Sequence, residues 1–361
     1  MSGQCVARSP IGLTIGVDVG DRFSQICVLD GDGEIQEEAR IRTTPAAVGQ
    51  WFRSTASALV VLEAGTHSPW ISRLITESGH ETIVANPRRL RLIYQNDRKS
   101  DRVDAESLAR VGRLDPRLLC PVKHRGAEAQ ADLALLRSRD ALIRARTLLI
   151  NHARGSSKAV GARLPKCSAK SFHQKVAVHL PELLADSLSP ELETIGRLTA
   201  QIRDLDRKIE EMAETKYPEV AALRQVYGVG PVTATTYVLT LEDPHRFPRS
   251  RAVGCYVGLR PRQADSGDQQ PQLHITKAGD EALRSLLVCA AQYILGPHGP
   301  DSDLRRWGLK LAERGGKAAK KRAVVAVARK LAVLLHRLWE TGEIYEPLRN
   351  ARLRGEMEPV L

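Results

Sequence analysis

Three β-prone runs open the pattern of the chain: LTIGVDVG from Leu13, FSQICVLD from Phe23, and EIQEEARIRT, which carries the pattern to about Arg42. Apolar residues broken by Gly and Asp turn signals, such as Asp30-Gly31-Asp32-Gly33, predict an antiparallel meander. A helix is expected after Pro45, a buried strand over Leu59-Val60-Val61-Leu62 ending at Glu63, a helix from Pro69 to Ser78, and a strand from Glu81 to Ala85. Asp101 to Arg113 reads as a further helix, with Pro116 and Pro121 as breakers beyond it. A meander followed by alternating strand and helix is an α/β pattern.

The period then changes. From about Ala127 to His152, and from about Pro190 to Lys216, apolar residues return at helical spacing among charges, as in Leu133, Leu136 and Ile143 and in Leu198, Ile202, Leu205 and Ile209. Long antiparallel helices forming a coiled-coil arm are expected, joined by the basic, turn-rich loop RGSSKAVGARLPKCSAKS. A third region runs from Pro218 to about Gly296, and a basic helical tail follows. The expected division is therefore 1–118, 119–217 and 218–361: an α/β domain, a helical arm and a mainly helical C-terminal domain.

At 361 residues, 42% hydrophobic and 27% charged, the chain has the balance of an ordinary globular protein with room for two or three domains. No run approaches the roughly 20 apolar residues of a membrane span, so no membrane partner is expected. Six scattered cysteines without a C-x-x-C pair argue against zinc. The opening MSGQCVARSPIG lacks a long apolar signal core, so free thiols and a cytoplasmic location are expected.

A net charge of +12 makes a polyanion the first partner to consider. Aromatic residues make up only 4%, which leaves few platforms for stacked bases and favours a grip on backbone and shape. The excess is localised: residues 1–115 are close to neutral, whereas residues 305–354 hold fourteen Lys and Arg against four Glu. Lys320, Lys321 and Arg322 stand at the start of an apolar helical stripe over Ala323 to Leu338. The plain reading is a packed helix with a solvated basic face; the functional one is a backbone-binding face for DNA or RNA.

Four acids carry the candidate chemistry. Asp18 lies amid the apolar residues of the first strand, where an unpaired carboxylate is costly and a compensating cation is suggested. Glu63 ends the next apolar strand, and Asp101 and Asp104 stand at i and i+3 on one face of a helix. Strand-end acids also begin turns, and Asp101 with Asp104 could be a helix cap and its partner. Together, however, they are hard oxygen ligands suited to Mg²⁺, and two such ions activate an attacking oxygen and stabilise a leaving one at phosphorus. An actin-like nucleotide site would also start with a strand Asp, but the later Gly-rich phosphate loops are missing.

With Gly16-Val17-Asp18, Leu62-Glu63-Ala64, Asn86-Pro87 and Lys99-Ser100-Asp101-Arg102-Val103-Asp104-Ala105 in order, the chain resembles the DEDD-type transposases of insertion sequences, which include the Piv- and MooV-like DNA invertases. The resemblance implies a RuvC-like, RNase H-like domain with its metal site at Asp18, Glu63, Asp101 and Asp104, holding Mg²⁺, two ions per site, or Mn²⁺. Two departures stand beside the acids: Gly20-Asp21 where the family often has Ser-Lys, and Ala-Gly-Thr-His after Glu63 where Ala-Thr-Gly-Tyr is usual.

Further along, Gly228-Val229-Gly230 between helical patterns is similar to a helix-hairpin-helix turn, which presents backbone N–H groups to a phosphate; an ordinary helix–helix turn has the same look. The stretch from Gly254 through Ser266-Gly267 to Ile275-Thr276-Lys277-Ala278-Gly279 matches the signature of the family's second domain. The resemblance makes Ser266 the nucleophile that becomes linked to DNA, with Arg260, Arg262 and Lys277 available to neutralise the phosphate. Asp265 and Asp268 flank that serine, an unfavourable charge unless offset, and Asp265 is an alternative base.

The resemblance also implies a 5′-phosphoserine intermediate, a composite site in a homo-oligomer (dimer or tetramer), double-stranded DNA at element ends and target, and a structured noncoding bridge RNA as guide. The competing readings are a site-specific invertase or junction-resolving nuclease with the same acids, and a non-catalytic DNA- or RNA-binding protein.

Overall fold

The early alternation becomes β1 (Leu13–Val19), β2 (Phe23–Leu29) and β3 (Ile35–Arg42), followed by α1 (Pro45–Ser54), β4 (Ala58–Glu63), α2 (Ser68–Glu77), β5 (Glu81–Ala85) and α3 (Asp101–Leu114). These positions come from a computed structural model that describes residues 12–88, 100–266, 269, 271, 273–313 and 315–354. Lys99 of the Lys-Ser-Asp motif, Gly267 and Asp268 beside the candidate serine, Cys5 and Arg314 lie outside the described residues.

The sheet order is β3-β2-β1-β4-β5. β2 runs antiparallel to β1 and β3, while β4 runs parallel to β1 and β5. This mixed sheet packed between helices is an RNase H-like core. Side chains alternate between its two faces. Ile15, Val17, Val60 and Leu62 pack with Phe52 of α1 and Ile71 and Ile75 of α2. On the opposite face Leu59 and Val61 meet Leu108 of α3, and Cys27 and Leu29 meet Ala105 and Ala109.

Local signals set the helix starts. Thr44 Oγ1 accepts from the Ala47 N–H at 3.3 Å with Pro45 in the first turn, and Ser100 Oγ accepts from the Val103 N–H at 3.3 Å. Ser100 is therefore the cap of α3, and Asp101, expected as a possible cap, is its first helical residue.

The chain divides after Ala127 into two compact units. The second contains α4 (Ala127–Ala159), α5 (Phe172–Ala177), α6 (Ala185–Lys216), α7 (Glu219–Leu223), α8 (Pro231–Leu241), α9 (Arg251–Tyr256), α10 (Glu281–Leu295), α11 (Asp303–Ala312), α12 (Gly316–Thr341) and α13 (Arg349–Leu353). Its regular elements are all helices, with isolated bridges at Pro261 with Ile275 and at Ser266 with Gln269, among the described residues.

The two long helices α4 and α6 pair antiparallel: Lys216 meets Asp132, Arg139 meets Asp206, Arg146 meets Thr199, and His152 meets Glu191. Two boundaries differ from the sequence pattern. α4 continues through Gly155 into the expected loop, because Ala153 and Ser157 are buried and Ser157 Oγ bonds back to the Ala153 carbonyl at 2.9 Å. α6 starts five residues before Pro190, which lies inside the helix. α5 packs Phe172 and Val176 against these two helices, and α7 to α12 enclose a separate apolar core in which Tyr237 donates its hydroxyl to the Ala332 carbonyl at 2.6 Å.

Candidate functional site

The C-terminal ends of β1 and β4 are neighbours, with Val17 opposite Leu62. Two residues beyond Gly16 and Val61, Asp18 and Glu63 fall on the same face as these, the face covered by α3. Helix direction brings the other acids to that end. Arg113 in the last turn of α3 donates to the carbonyls of Asp30 and Gly31, at the opposite end of β1, so α3 runs antiparallel to β1 and its first turn lies toward Asp18 and Glu63.

Gly16 sets how close that helix comes. A β-carbon there would collide with the Ala105 carbonyl oxygen and stand 2.6 Å from the Ala109 nitrogen. Asp104, one residue before Ala105, is buried at 9% exposure, whereas Asp101 is exposed and Asp18 and Glu63 are half-buried. The positive end of the helix dipole favours carboxylates in this first turn. Among the described residues no three carboxylate, imidazole or thiolate groups gather closely enough to cage a metal ion.

The two departures from the family pattern meet each other. Asp21 Oδ1 lies 3.2 Å from His67 Nε2, and the Trp70 Nε1–H donates to His67 Nδ1 at 3.2 Å. With Nδ1 accepting, Nε2 carries the proton that faces Asp21. Neighbouring Ser68, fully buried, accepts the Gly65 N–H at 2.9 Å and lies 2.7 Å from His124 Nε2. Burial, reinforced by Arg73 and Arg125, holds the His124 pKa below the ordinary histidine value. The sequence marked Asp21 and His67 only as departures; their pairing and the Ser68–His124 link join residues 46 and 56 positions apart, beyond local pattern.

Ser266 lies on a hairpin-like excursion between α9 and α10. The Arg262 N–H donates to the His274 carbonyl and the Thr276 N–H to the Arg260 carbonyl, and Ser266 and Gln269 exchange both backbone hydrogen bonds, at 3.2 and 3.1 Å. Ser266 is exposed beside that pairing. Arg260 and Arg262 are exposed on the same excursion, and Arg260 donates to Gln263 Oε1. Lys277 at its base has φ of +54°, a left-handed conformation that is uncommon for a lysine.

The comparisons with known proteins fall on both parts of this arrangement. A family profile for DEDD-type transposases of IS110 matches residues 15–156, and the one described as "Transposase IS116/IS110/IS902 family" matches residues 220–304. The transposase for insertion sequence element IS1111A of Coxiella burnetii is 31% identical, over 92% of this chain and 90% of its own. This chain belongs to the IS110/IS1111 family of DEDD-type transposases. A Sinorhizobium fredii relative named as a transposase is 31% identical over 92% of this chain and 85% of its own, and a Pseudomonas aeruginosa relative named as a family 20 transposase is 29% identical over 92% and 98%. Family membership supports a DNA-mobilising recombinase that breaks phosphodiester bonds.

In this transposase the glycine turn has one packed member and one open member. Gly228, at φ +84°, faces α10, where a β-carbon would stand 2.9 Å from the Ala290 carbonyl oxygen; Gly230 precedes α8 with open space around it. Packing thus explains Gly228, and Gly230 is the exposed member. On α12, Lys320, Lys321 and Arg322 are exposed between buried Ala319 and Ala323, so the basic run is an outward face of a packed helix.

Proposed function

We propose that this family member is a Mg²⁺-dependent, RNA-guided recombinase that mobilises its insertion sequence through a covalent serine–DNA intermediate. The observation that carries the reading is the placement of Asp18, Glu63 and buried Asp104 at one end of one sheet face, in a chain whose full-length relatives are named transposases. The donor set suits Mg²⁺, being four carboxylates with hard oxygens, one of them nearly excluded from water. Asp18, Glu63, Asp101 and Asp104 would hold the metal, two ions or Mn²⁺ in their place, which when bound lowers the charge on the scissile phosphate.

The remaining chemistry belongs to the second unit's side chains. Ser266 Oγ attacks the scissile phosphorus, a serine–phosphate ester forms, and the 3′-oxygen of the adjoining nucleotide departs as a hydroxyl after taking a proton. Ser266 loses its own proton to a base, for which Asp265 is the adjacent carboxylate. Arg260, Arg262 and Lys277 neutralise the phosphate and offset Asp265 and Asp268. Rejoining is the reverse: a 3′-hydroxyl from the recombining strand attacks the ester and Ser266 is released, so no phosphodiester energy is lost.

The Gly228-Val229-Gly230 turn, through its exposed end at Gly230, and the Lys320–Arg322 face grip duplex backbone without reading sequence. Target and donor choice falls to a structured noncoding RNA. Residues 1–118 serve as the metal-dependent domain, 119–217 as the arm and 218–361 as the serine-bearing domain, with composite sites assembled in a dimer or tetramer. The test uses the full chain with its element-end DNA, flanking RNA and Mg²⁺, reading strand exchange on a sequencing gel. Asp18→Ala and Glu63→Ala are expected to abolish Mg²⁺-dependent cleavage while the proteins stay folded; cleavage at wild-type rate in Asp18→Ala overturns the assignment of the quartet.

A further inference from the structure

A cavity of about 580 Å³ lies among α11, α12 and α13, far along the sequence from both the acids and the serine hairpin. Its lining brings Arg306, Lys310, Lys330 and Arg354 together with the indole of Trp307 and a single carboxylate, Asp303. That carboxylate is already engaged, since its oxygens accept the Asn350 and Ala351 N–H groups at 2.6 and 3.1 Å, which pins α13 in place. Arg306 is gripped by Asp301 through a fork of bonds of 2.6 to 3.0 Å. Lys330 Nζ rests 4.2 Å from the centroid of the Trp307 ring. Burial holds its ammonium below the ordinary lysine range, with Asp303 opposing and Arg354 reinforcing the shift. A cation stripped of part of its water and crowded by a second cation gains from an incoming anion.

The shape selects among anions. Phosphates on the convex backbone of a duplex reach surface lysines without entering a recess, as at Lys320 and Lys321. A recess walled by an indole and rimmed with cations accommodates a base only when that base is unstacked from its neighbours. Its volume lies in the range of about 300–1,000 Å³ that encloses small ligands. We infer that this cavity binds an unpaired nucleotide of a nucleic-acid strand, its phosphate against Lys310, Lys330 and Arg354 and its base beside the Trp307 indole, one face of which Lys330 covers. The inference rests on the proposed nucleic-acid role for the identity of the anion, and it adds a site that neither the acid quartet nor the serine hairpin contains.

The test uses the full chain and short strands carrying 5-iodouracil, as DNA, as RNA, and as a duplex of the same sequence. Irradiation of the wild-type complex is expected to give an adduct in the peptide that contains Trp307. The double variant Lys310→Gln/Lys330→Met is expected to bind the single strands about tenfold more weakly or worse, with a salt slope reduced by about one to two, while duplex affinity stays within about twofold. Tighter binding of the RNA strand would identify the guide as the source of the nucleotide, and tighter binding of the DNA strand an unpaired element end. Adducts confined to other segments, or unchanged strand affinity in a variant with an unchanged melting temperature, overturn the inference. Should the double variant fail to fold, the wild-type adduct map decides. The readout is binding without cleavage, so Ser266→Ala protein gives the same result, and failure of the recombinase reading is seen separately from failure of this pocket.

Discussion

Gly16 decides how near α3, which carries two acids, comes to β1, which carries a third. Any side chain there collides with the helix backbone, which cannot move as the tip of a flexible side chain can. Gly16→Ala is expected to cost about 3 kcal/mol in urea denaturation and to lower metal-dependent cleavage with it, whereas Gly230→Ala, with open space and φ of −88°, should change stability by less than about 0.5 kcal/mol. Equal costs at the two sites would contradict the close approach of α3. His124 supplies a pH dependence. Its folded pKa is depressed, so the unfolded chain binds the proton more readily, and stability present above the unfolded value near 6.5 is lost as pH falls through the folded value. The melting temperature of the wild type should therefore drop more between about pH 7.5 and 5.5 than that of His124→Gln. At this scale the acids were legible because carboxylates among apolar strand residues break a pattern. Gly16 as a contact point, and the meeting of Asp21, His67 and Trp70, depend on long-range geometry that no window of sequence contains.

The paired helices α4 and α6 hold a charged group where apolar packing is expected. Arg146 is 7% exposed; one guanidinium nitrogen donates to Thr199 Oγ1 at 3.3 Å, and Nε has no partner within the protein. Burial, reinforced by Arg139, lowers its pKa. Replacing a poorly compensated buried charge with an apolar group of similar length is commonly stabilising. Arg146→Met with Thr199→Val is expected to raise stability by about 1–2 kcal/mol, seen as a higher melting temperature in calorimetry. A lower one would mean that the guanidinium supports the arm in a way these contacts do not account for. The strands β1 to β5 and helices α1 to α3 fall close to their expected positions because each has both a period and a boundary signal, such as Thr44 before Pro45. The arm helices overran their expected ends at Gly155 and Pro190 because burial at Ala153, Ser157, Leu188 and Leu192 outweighs local propensity. The excursion around Ser266 has no apolar alternation to announce it, and its pairing rests on backbone bonds among polar residues.

Over the whole molecule, the basic excess and the acid quartet occupy different parts of the chain. The acids stand in a nearly neutral first unit, and the basic excess lies in residues 305–354 of a unit whose core is apolar. Among the described residues no helix is long and apolar enough to cross a membrane. If the exposed face of α12 grips duplex backbone, changing Lys320, Lys321 and Arg322 together to Gln should weaken binding alike for all sequences and reduce the slope of log affinity against log salt by about three. Fluorescence anisotropy across a KCl series checks this, and an unchanged slope would remove these residues from the interface.

Covalent attachment of Ser266 to DNA, the step on which the proposed recombinase turns, is read by mass spectrometry of the full chain after incubation with element-end DNA, guide RNA and Mg²⁺ and digestion under denaturing conditions. A nucleotide adduct is expected on the peptide bearing Ser266, absent from Ser266→Ala and from Asp18→Ala. Complete strand exchange with no adduct on that serine, or undiminished exchange by Ser266→Ala, would contradict it.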